Sequence, residues 1–213
     1  MDASPDPAAR RFALVGPRFF AYVDAIRETL ERKGHVARYH DERHANTVTA
    51  KLLYRLGWYA RFPARKRQHL DEVARRVLAD GATDVLLVAT EAVDRPFVQR
   101  LVDAGVRVHG YTWDSLENKP AWMAYMDLLG GRGSFDPQDC ATHGFSYIPL
   151  FGEAAYADAR HAREPGPPVH DIAFCGTLHS NRADHLAALQ AYAHRRGLQL
   201  ELLLFFHSKL LLA

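Results

Sequence analysis

The 213-residue sequence has few of the features that mark a protein for a specialised class. Its two cysteines, Cys140 and Cys175, stand at no metal-ligand spacing and its twelve histidines form no HExxH motif, so we expect buried, reduced thiols and no metal site. The formal net charge of +2 gives no reason to expect a nucleic-acid partner. No apolar run approaches the roughly 20 residues that span a bilayer, and the N-terminus lacks the apolar core of a signal peptide. These absences favour a cytoplasmic protein.

Several well-known signatures are also missing from the turn after the first apolar run. That run, RFALVG, ends at Gly16 and continues as PRFF. The turn is neither GxGxxG nor GxxxxGK(S/T), so it predicts neither a nicotinamide-dinucleotide site nor a P-loop. It also lacks the acidic residues that a receiver-like domain needs directly after its first strand.

What the sequence does have is a regular alternation of strand-like and helix-like segments. Hydrophobic residues make up 48% of the chain, enough for a substantial core. Apolar positions such as Val23, Ile26 and Leu30 recur at helical spacing between short apolar runs. The predicted strands are RFALVG, HVARYH, TDVLLVAT, VRVHGYTW and FSYIPLF. This alternation is typical of an α/β protein with a Rossmann-like, doubly wound parallel sheet.

A change in composition divides the chain into segments. We predict a loose tail at residues 1–10, an N-terminal Rossmann-like domain at 11–152 and a linker at 153–168. The linker contains ADARHAREPGPP, which has three prolines and no apolar periodicity. Residues 169–213 then hold a single strand–helix–strand pattern, which cannot cover both faces of a parallel sheet. We therefore expect a second Rossmann-like unit that is incomplete in this chain.

Polar side chains follow the predicted strands at their carboxyl ends, the edge at which open α/β sheets bind ligands. The groups there that could hold or move a proton are His40, Asp41, Glu91 and Asp114. The other residues predicted to line this crevice are Gly16, Arg18, Glu42, Arg43, Asn46, Trp113 and Ser115. Structural alternatives stay open, since Asp41 could pair with Arg43 and either Asp114 or Ser115 could cap the following turn.

A second polar turn follows the strand DIAFC near the end of the chain. It offers Gly176, Thr177, His179, Ser180 and Arg182. Glycine lets the backbone pass close to a ligand, the free N–H groups of a helix start attract anions, and arginine adds a fixed positive charge. The alternative is helix capping by Thr177 or Ser180 beside a solvated Arg182.

Five motifs, in order along the chain, carry a family resemblance. They are LVGPRFFAYVDAIRETLERKGHVARYHDERHAN, YTWDSLENK, SFDPQDC, YIPLF and DIAFCGTLHSNR. From about Phe12 to the C-terminus, the chain resembles bacterial glycosyltransferase-like proteins related to spore-maturation proteins. Genes of this family are often found with those for capsule, exopolysaccharide or lipopolysaccharide synthesis. The resemblance implies the GT-B architecture, in which two Rossmann-like domains hold the acceptor and the nucleotide-sugar donor respectively.

The resemblance also implies a function. This chain would be the N-terminal part of a glycosyltransferase that moves a sugar from a nucleotide-diphosphate sugar to a polysaccharide or lipid-linked acceptor, without a metal or other cofactor. The strand-end crevice would hold the acceptor, one of its carboxylates or His40 would orient or deprotonate the acceptor hydroxyl, and the turn ending at Arg182 would face the donor diphosphate. Because later donor-domain motifs are missing, we expect the chain alone to be inactive. A non-catalytic α/β module that binds a sugar or nucleotide is the alternative.

Residues 44–70 form a basic segment without any aspartate or glutamate. Its six basic residues are Lys51, Arg55, Arg61, Arg65, Lys66 and Arg67. Apolar and aromatic residues such as Trp58 and Phe62 are interleaved with them. This pattern predicts either a peripheral contact with the inner face of the membrane or a pair of core helices with a solvated basic face.

Overall fold

The computed structural model describes residues 9–18, 21–43, 63–152, 158, 166–178 and 181–205. These residues fall into two compact units, one reaching to Gly152 and the other starting at Asp158. The division, between residues 157 and 158, falls within the linker predicted at 153–168, most of which lies outside the described residues.

The first unit is built on a six-stranded parallel sheet. Its strands are β1 (Arg11–Gly16), β2 (Val36–Asp41), β3 (Asp84–Val88), β4 (Arg107–Thr112), β5 (Gly131–Ser134) and β6 (Ser146–Tyr147). Its helices are α1 (Tyr22–Arg32), α2 (Pro63–Ala79), α3 (Arg95–Asp103) and α4 (Pro137–His143), with 3₁₀ turns at Pro120–Ala124 and Met126–Leu128. This arrangement confirms the predicted α/β class and is consistent with a Rossmann-like fold.

The strand order is β2-β1-β3-β4-β5-β6, so the chain changes direction across the sheet between β1 and β3. Right-handed connections leaving these two strands go to opposite faces of the sheet, which opens a crevice at their carboxyl ends. Gly16 ends β1 here, and a Cβ at this position would overlap the Val88 carbonyl oxygen at the end of β3. Ala89 then turns the chain away with a φ of 45°.

One face of the sheet carries the main hydrophobic core. Val85 and Leu87 of β3 are fully buried, as parallel strands covered on both faces require. Helix α2 places Leu70, Val73 and Val77 on one face through their helical spacing. Each fully buried side chain of this size contributes about 1.5–3 kcal/mol to folding. The core therefore fixes the strands whose ends form the crevice.

The sequence also predicts helix starts at Asp94 and Asp136, since each aspartate is followed within two residues by a proline, and both starts are confirmed. The Asp94 carboxylate accepts from the Phe97 N–H at 3.1 Å, with Pro96 in the first turn of α3. The Asp136 carboxylate accepts from the Gln138 N–H at 2.8 Å, with Pro137 opening α4. Such caps satisfy N–H groups that have no partner inside the helix.

Two sequence predictions differ from the structure. The sequence predicts a short helix over WMAYMDLLG, but the two 3₁₀ turns, Pro120–Ala124 and Met126–Leu128, are found there instead. The strand predicted in FSYIPLF has only two paired residues, because Pro149 has no N–H to continue the ladder.

The second unit consists of β7 (Ile172–Thr177), α5 (Arg182–Arg196) and β8 (Leu200–Phe205). The two strands pair in parallel, and Gly197 ends α5 in the left-handed conformation. Cys175 in β7 is exposed and Cys140 in the first unit is half-buried, both as free thiols. The expectation of a buried thiol is therefore wrong for Cys175, because it lies on an uncovered side of β7.

Candidate active site

Loops from four neighbouring strands meet at the carboxyl edge of the first sheet. Arg18 follows β1, Glu42 and Arg43 follow β2, Glu91 follows β3, and Asp114 follows β4. This is the edge at which the sequence predicted a site. The contacts among these residues assign them different tasks.

Glu42 is a buried structural carboxylate, with a relative exposure of 1%. It accepts hydrogen bonds from the N–H groups of Glu91 at 2.8 Å, Ala92 at 2.7 Å and Val93 at 3.2 Å. Burial raises the pKa of Glu42 to about 7, against the opposing effect of these three donors. Glu42 was predicted as a cleft residue, but it holds the loop after β3 from within the protein.

A second set of contacts holds the same loop from the other side. The Trp122 indole Nε1–H donates to the Thr90 carbonyl at 3.0 Å. The Tyr125 hydroxyl pairs with the Thr90 hydroxyl at 2.9 Å. Trp122 and Tyr125 are both fully buried, so the loop after β3 is fixed by buried groups on two sides.

Glu91 stands on this fixed loop between two cations. Its carboxylate contacts Arg43 Nη2 and Lys119 Nζ, each at 2.5 Å. Burial opposes ionisation of Glu91, but its bonds to Lys119 and Arg43 outweigh burial and lower the pKa. A carboxylate with a lowered pKa is a weak base, so Glu91 is better suited to orienting the two cations than to taking a proton.

Asp41 and its neighbours shape the end of β2. The Asp41 carboxylate accepts from the Arg43 N–H at 2.8 Å. The Tyr39 hydroxyl donates to the Gly16 carbonyl at 3.0 Å, which ties β2 to the end of β1. Burial and the Asp41 charge raise the pKa of the Tyr39 hydroxyl. The structural alternative for Asp41, a pairing with Arg43, is therefore supported by this contact with the Arg43 backbone.

His40 lies on the other face of the sheet from Asp41, because successive strand residues point to opposite faces. Its Nε2 is 3.5 Å from the Asp80 carboxylate, at the end of α2. Burial lowers the pKa of His40, more than Asp80 raises it. The structure thus does not bring His40 together with the carboxylates with which it was grouped.

Asp114, on the loop after β4, makes its described hydrogen bonds through its backbone. The Asp114 N–H donates to the Thr112 hydroxyl at 3.1 Å, while the half-buried Asp114 carboxylate has no hydrogen bond or ion pair within the described part of the chain. Ser115 Oγ accepts from the Glu117 N–H at 3.3 Å. Ser115 therefore caps the turn that follows it, which was the structural alternative for this residue. Asp114 is therefore available to a ligand.

A buried aspartate that was not predicted as a site residue supports this loop. Asp139 of α4 accepts from the Leu116 N–H and from the Ser134 hydroxyl, each at 3.0 Å. Asp139 lies three residues after the Asp136 cap in the motif SFDPQDC, so this motif has both a capping and a loop-holding function.

Four aromatic rings cluster beside the same loop, and of these only Trp113 was predicted from the sequence as a site residue. The Tyr22 ring centroid is 5.7 Å from that of Trp113 and 5.5 Å from that of Phe151. The Tyr111 centroid is 6.2 Å from Trp113 and 6.4 Å from Phe151. These separations are typical of packed aromatic pairs. We call Tyr22, Tyr111, Trp113 and Phe151 the aromatic cluster.

Arg18, after β1, is exposed and lies 3.4 Å from the Asp24 carboxylate in α1. Such an exposed pair contributes little to stability. Asn46, which was predicted for the crevice, lies outside the described residues.

In the second unit, the predicted diphosphate turn is described in part. The Arg182 guanidinium donates to the Thr177 carbonyl at 2.8 Å and lies over the Phe174 ring, 5.7 Å from its centroid. Gly176 is close to both, because a Cβ there would lie 3.0 Å from the Phe174 ring. His179 and Ser180 lie outside the described residues.

The basic segment at 44–70 is described only from Pro63 onward. Those residues begin α2, where Arg65 and Arg67 are exposed and Leu70 is buried. Among the helices that the structure describes, none is long and apolar enough to cross a membrane. Its described residues also include no group of three or more His, Cys, Asp and Glu that could hold a metal ion.

The chain matches no family model, no curated protein and no solved structure.

Proposed function

We propose that this chain is the acceptor-side part of a glycosyltransferase that transfers a sugar from a nucleotide-diphosphate sugar to a polysaccharide or lipid-linked acceptor. The observation that carries the proposal is the Asp114 carboxylate, which has no partner within the described residues and follows β4 at the carboxyl edge of the sheet, where open α/β sheets bind ligands. The family resemblance in five ordered motifs supports it independently. The GT-B architecture that the resemblance implies is part of the proposal.

In this proposal Asp114 is the general base. The oxygen of an acceptor hydroxyl attacks the anomeric carbon of the donor sugar, and its proton passes to the Asp114 carboxylate. The bond from the anomeric carbon to the phosphate oxygen breaks, and the nucleoside diphosphate leaves with the electron pair. General-base assistance of this kind is worth about 10²–10⁴-fold in rate.

The remaining strand-end residues would orient the acceptor. Glu91 keeps Arg43 and Lys119 in place on a loop held by buried groups, so both cations are positioned before a substrate arrives. Preorganised charges of this kind need no rearrangement during the reaction. Arg18, after β1, is the exposed cation nearest in sequence to the Gly16 turn.

On the donor side, we propose that the turn after β7 binds the leaving diphosphate. The start of α5 has N–H groups that no side chain of Asn181 caps, and such groups favour an anion. Arg182 is already held at this turn through the Thr177 carbonyl. The guanidinium has five N–H donors, so this bond leaves others for phosphate oxygens.

The test is sugar transfer by the full-length gene product. It is incubated with nucleotide-diphosphate sugars and with lipid-linked or polysaccharide acceptors, and both the glycosidic product and the released nucleoside diphosphate are measured. We expect Asp114→Asn to lower kcat by about 10²–10⁴-fold with an unchanged melting temperature. Glu117→Gln, an exposed substitution in the same loop, is the matched control and is expected to have no effect.

A non-catalytic sugar- or nucleotide-binding module is the second candidate. The contacts of Arg182 with the Thr177 carbonyl and the Phe174 ring favour it, since they give this arginine a structural task without any ligand. This candidate would prevail if the full-length gene product bound sugars or nucleotides but released no nucleoside diphosphate from any donor.

The proposed location is the cytoplasm, with peripheral contact at the inner face of the membrane. The exposed Arg65 and Arg67 of α2 support a contact with anionic lipids, each such charge being worth about 1 kcal/mol near the surface. Co-sedimentation with anionic and neutral vesicles is the measurement. Reversing Arg65, Lys66 and Arg67 to glutamate should abolish anionic-vesicle binding, whereas reversing Arg75 and Arg76 further along the helix should not. Equal binding of anionic vesicles by the two variants would contradict the proposed membrane contact.

A further inference from the structure

The aromatic cluster has a composition and a position that general core packing does not require. Its four rings come from three separate parts of the chain: the start of α1, the stretch at the end of β4 that holds both Tyr111 and Trp113, and the segment after β6. Each ring packs against two others. The cluster lies at the carboxyl edge of the sheet, where the fold places ligands.

Only one of the rings is withdrawn from solvent. Tyr111 is 6% exposed and forms the base of the cluster. Tyr22 and Trp113 are half-buried, and Phe151 is 38% exposed. The cluster therefore presents apolar ring surface at the edge of the crevice, on a base fixed by β4.

A polar group suited to hydroxyls stands next to this surface. Asp114 directly follows Trp113, and its half-buried carboxylate has no partner within the described residues. A carboxylate accepts hydrogen bonds only, and charge-assisted bonds of this kind are about twice as strong as neutral ones. A ligand with apolar C–H groups and neighbouring hydroxyl donors matches this pair of features.

We infer that the aromatic cluster forms a stacking platform for a pyranose ring, in which Trp113 supplies the stacking face and Asp114 accepts from one sugar hydroxyl. Tyr22 lies edge-on to Trp113 and to Phe151, so Tyr22 and Phe151 border the platform. One face of a pyranose carries several C–H bonds whose hydrogens are weakly positive, and these are attracted to the negative face of an aromatic ring. A phosphorylated ligand fits less well, since its charge would be repelled by Asp114. The inference rests on the proposed function and names the part of the acceptor that the crevice would hold.

The test uses simple sugars as probes. Methyl glycosides of glucose, galactose, mannose and N-acetylglucosamine, in both anomeric forms, are titrated into the chain and followed by saturation-transfer-difference NMR. We expect at least one glycoside to bind, with transfer concentrated on the C–H groups of one ring face. If no glycoside binds, the platform is wrong.

Substitutions then test whether the glycoside binds at the platform. Trp113→Ala should weaken binding of the best glycoside by about five- to tenfold, and Trp113→Phe should weaken it less. Asp114→Asn should weaken binding without changing the melting temperature, which keeps the test decisive if a Trp113 variant unfolds. Tyr147→Ala is the matched control: Tyr147 is 59% exposed, lies near Phe151 in sequence and is outside the cluster. Equal binding by wild type, Trp113→Ala and Asp114→Asn would overturn the inference.

The outcomes also separate this inference from the proposed function. If glycoside binding depends on Trp113 while the full-length gene product transfers no sugar, the platform stands and the glycosyltransferase proposal falls. If transfer persists in Trp113→Ala with an unchanged KM for the acceptor, the transferase stands and the platform falls. Concentration-dependent self-association that Phe151→Ala abolishes, without glycoside binding, would assign the cluster to a contact between copies of the chain and overturn the inference.

Discussion

Substitution of Glu42 should make the stability of the protein less dependent on pH. Burial raises the pKa of Glu42 in the folded protein to about 7, whereas an unperturbed glutamate has a value of 4.5. Between these two values the folded state binds more protons than the unfolded state, so stability falls as pH rises through this window and levels off above it. The slope is up to about 1.4 kcal/mol per pH unit, which amounts to about 3 kcal/mol over the window.

Two variants separate the charge of Glu42 from its hydrogen bonds. Glu42→Gln keeps one acceptor oxygen, which can replace the oxygen that accepts from Ala92 at 2.7 Å and Val93 at 3.2 Å. It should cost about 1 kcal/mol for the lost bond and remove the pH dependence due to this residue. Glu42→Ala leaves three N–H groups without an acceptor and should cost on the order of 3–6 kcal/mol.

The measurement is urea unfolding, followed by tryptophan fluorescence, from below pH 4.5 to above pH 7. The free energy of unfolding of wild type minus that of Glu42→Gln should fall with pH inside the window and stay constant outside it. Glu117→Gln, an exposed substitution, should leave the pH dependence of wild type unchanged. If the free energies of unfolding of wild type and Glu42→Gln depended on pH in the same way, burial would not control the ionisation of Glu42. That result would contradict the prediction.

Three further substitutions test individual contacts. Gly16→Ala should destabilise the protein by about 1–3 kcal/mol in urea unfolding, because its Cβ would overlap the Val88 carbonyl; a stability equal to wild type would contradict this. Trp122→Phe should cost about 1–3 kcal/mol by leaving the buried Thr90 carbonyl without its donor, and an unchanged midpoint would show that another donor replaces it. Arg182→Ala in the full-length gene product should weaken nucleotide-sugar binding by about 1.5–3 kcal/mol in calorimetry; unchanged affinity with an intact fold would limit this arginine to its contacts with its own unit.

The sheet and its helix starts could be predicted because their signals are local. The buried run DVLLV predicts a strand from its own composition, and Asp94 before Pro96 predicts a helix start within a few residues. The opposite facing of His40 and Asp41 was not predicted, because the predicted strand HVARYH ends at His40. The observed β2 extends to Asp41, and side chains alternate along a strand.

The role of Glu42 could not be predicted, because its partners are distant in sequence. It lies in the polar stretch HDERHAN, which is typical of an exposed loop, yet its acceptors are filled by N–H groups 49–51 residues later. Only the packing of β2 and β3 on either side of β1 brings these residues together. The aromatic cluster could not be predicted for the same reason, because Tyr22, Trp113 and Phe151 are far apart in the sequence and share no local pattern.

Glu42, Glu91 and Asp114, which follow β2, β3 and β4, are distinguished by what surrounds them, not by their position along the sheet edge. Glu42 is buried and fully engaged by N–H groups, so it holds a loop and cannot reach a substrate. Glu91 is exposed on that loop but already neutralised by Arg43 and Lys119, and its lowered pKa makes it a poor proton acceptor. Asp114 alone among these three has a carboxylate without a partner in the described part of the chain. Because differing environments assign different tasks to chemically similar carboxylates, Asp114 is the one whose substitution should affect turnover more than stability.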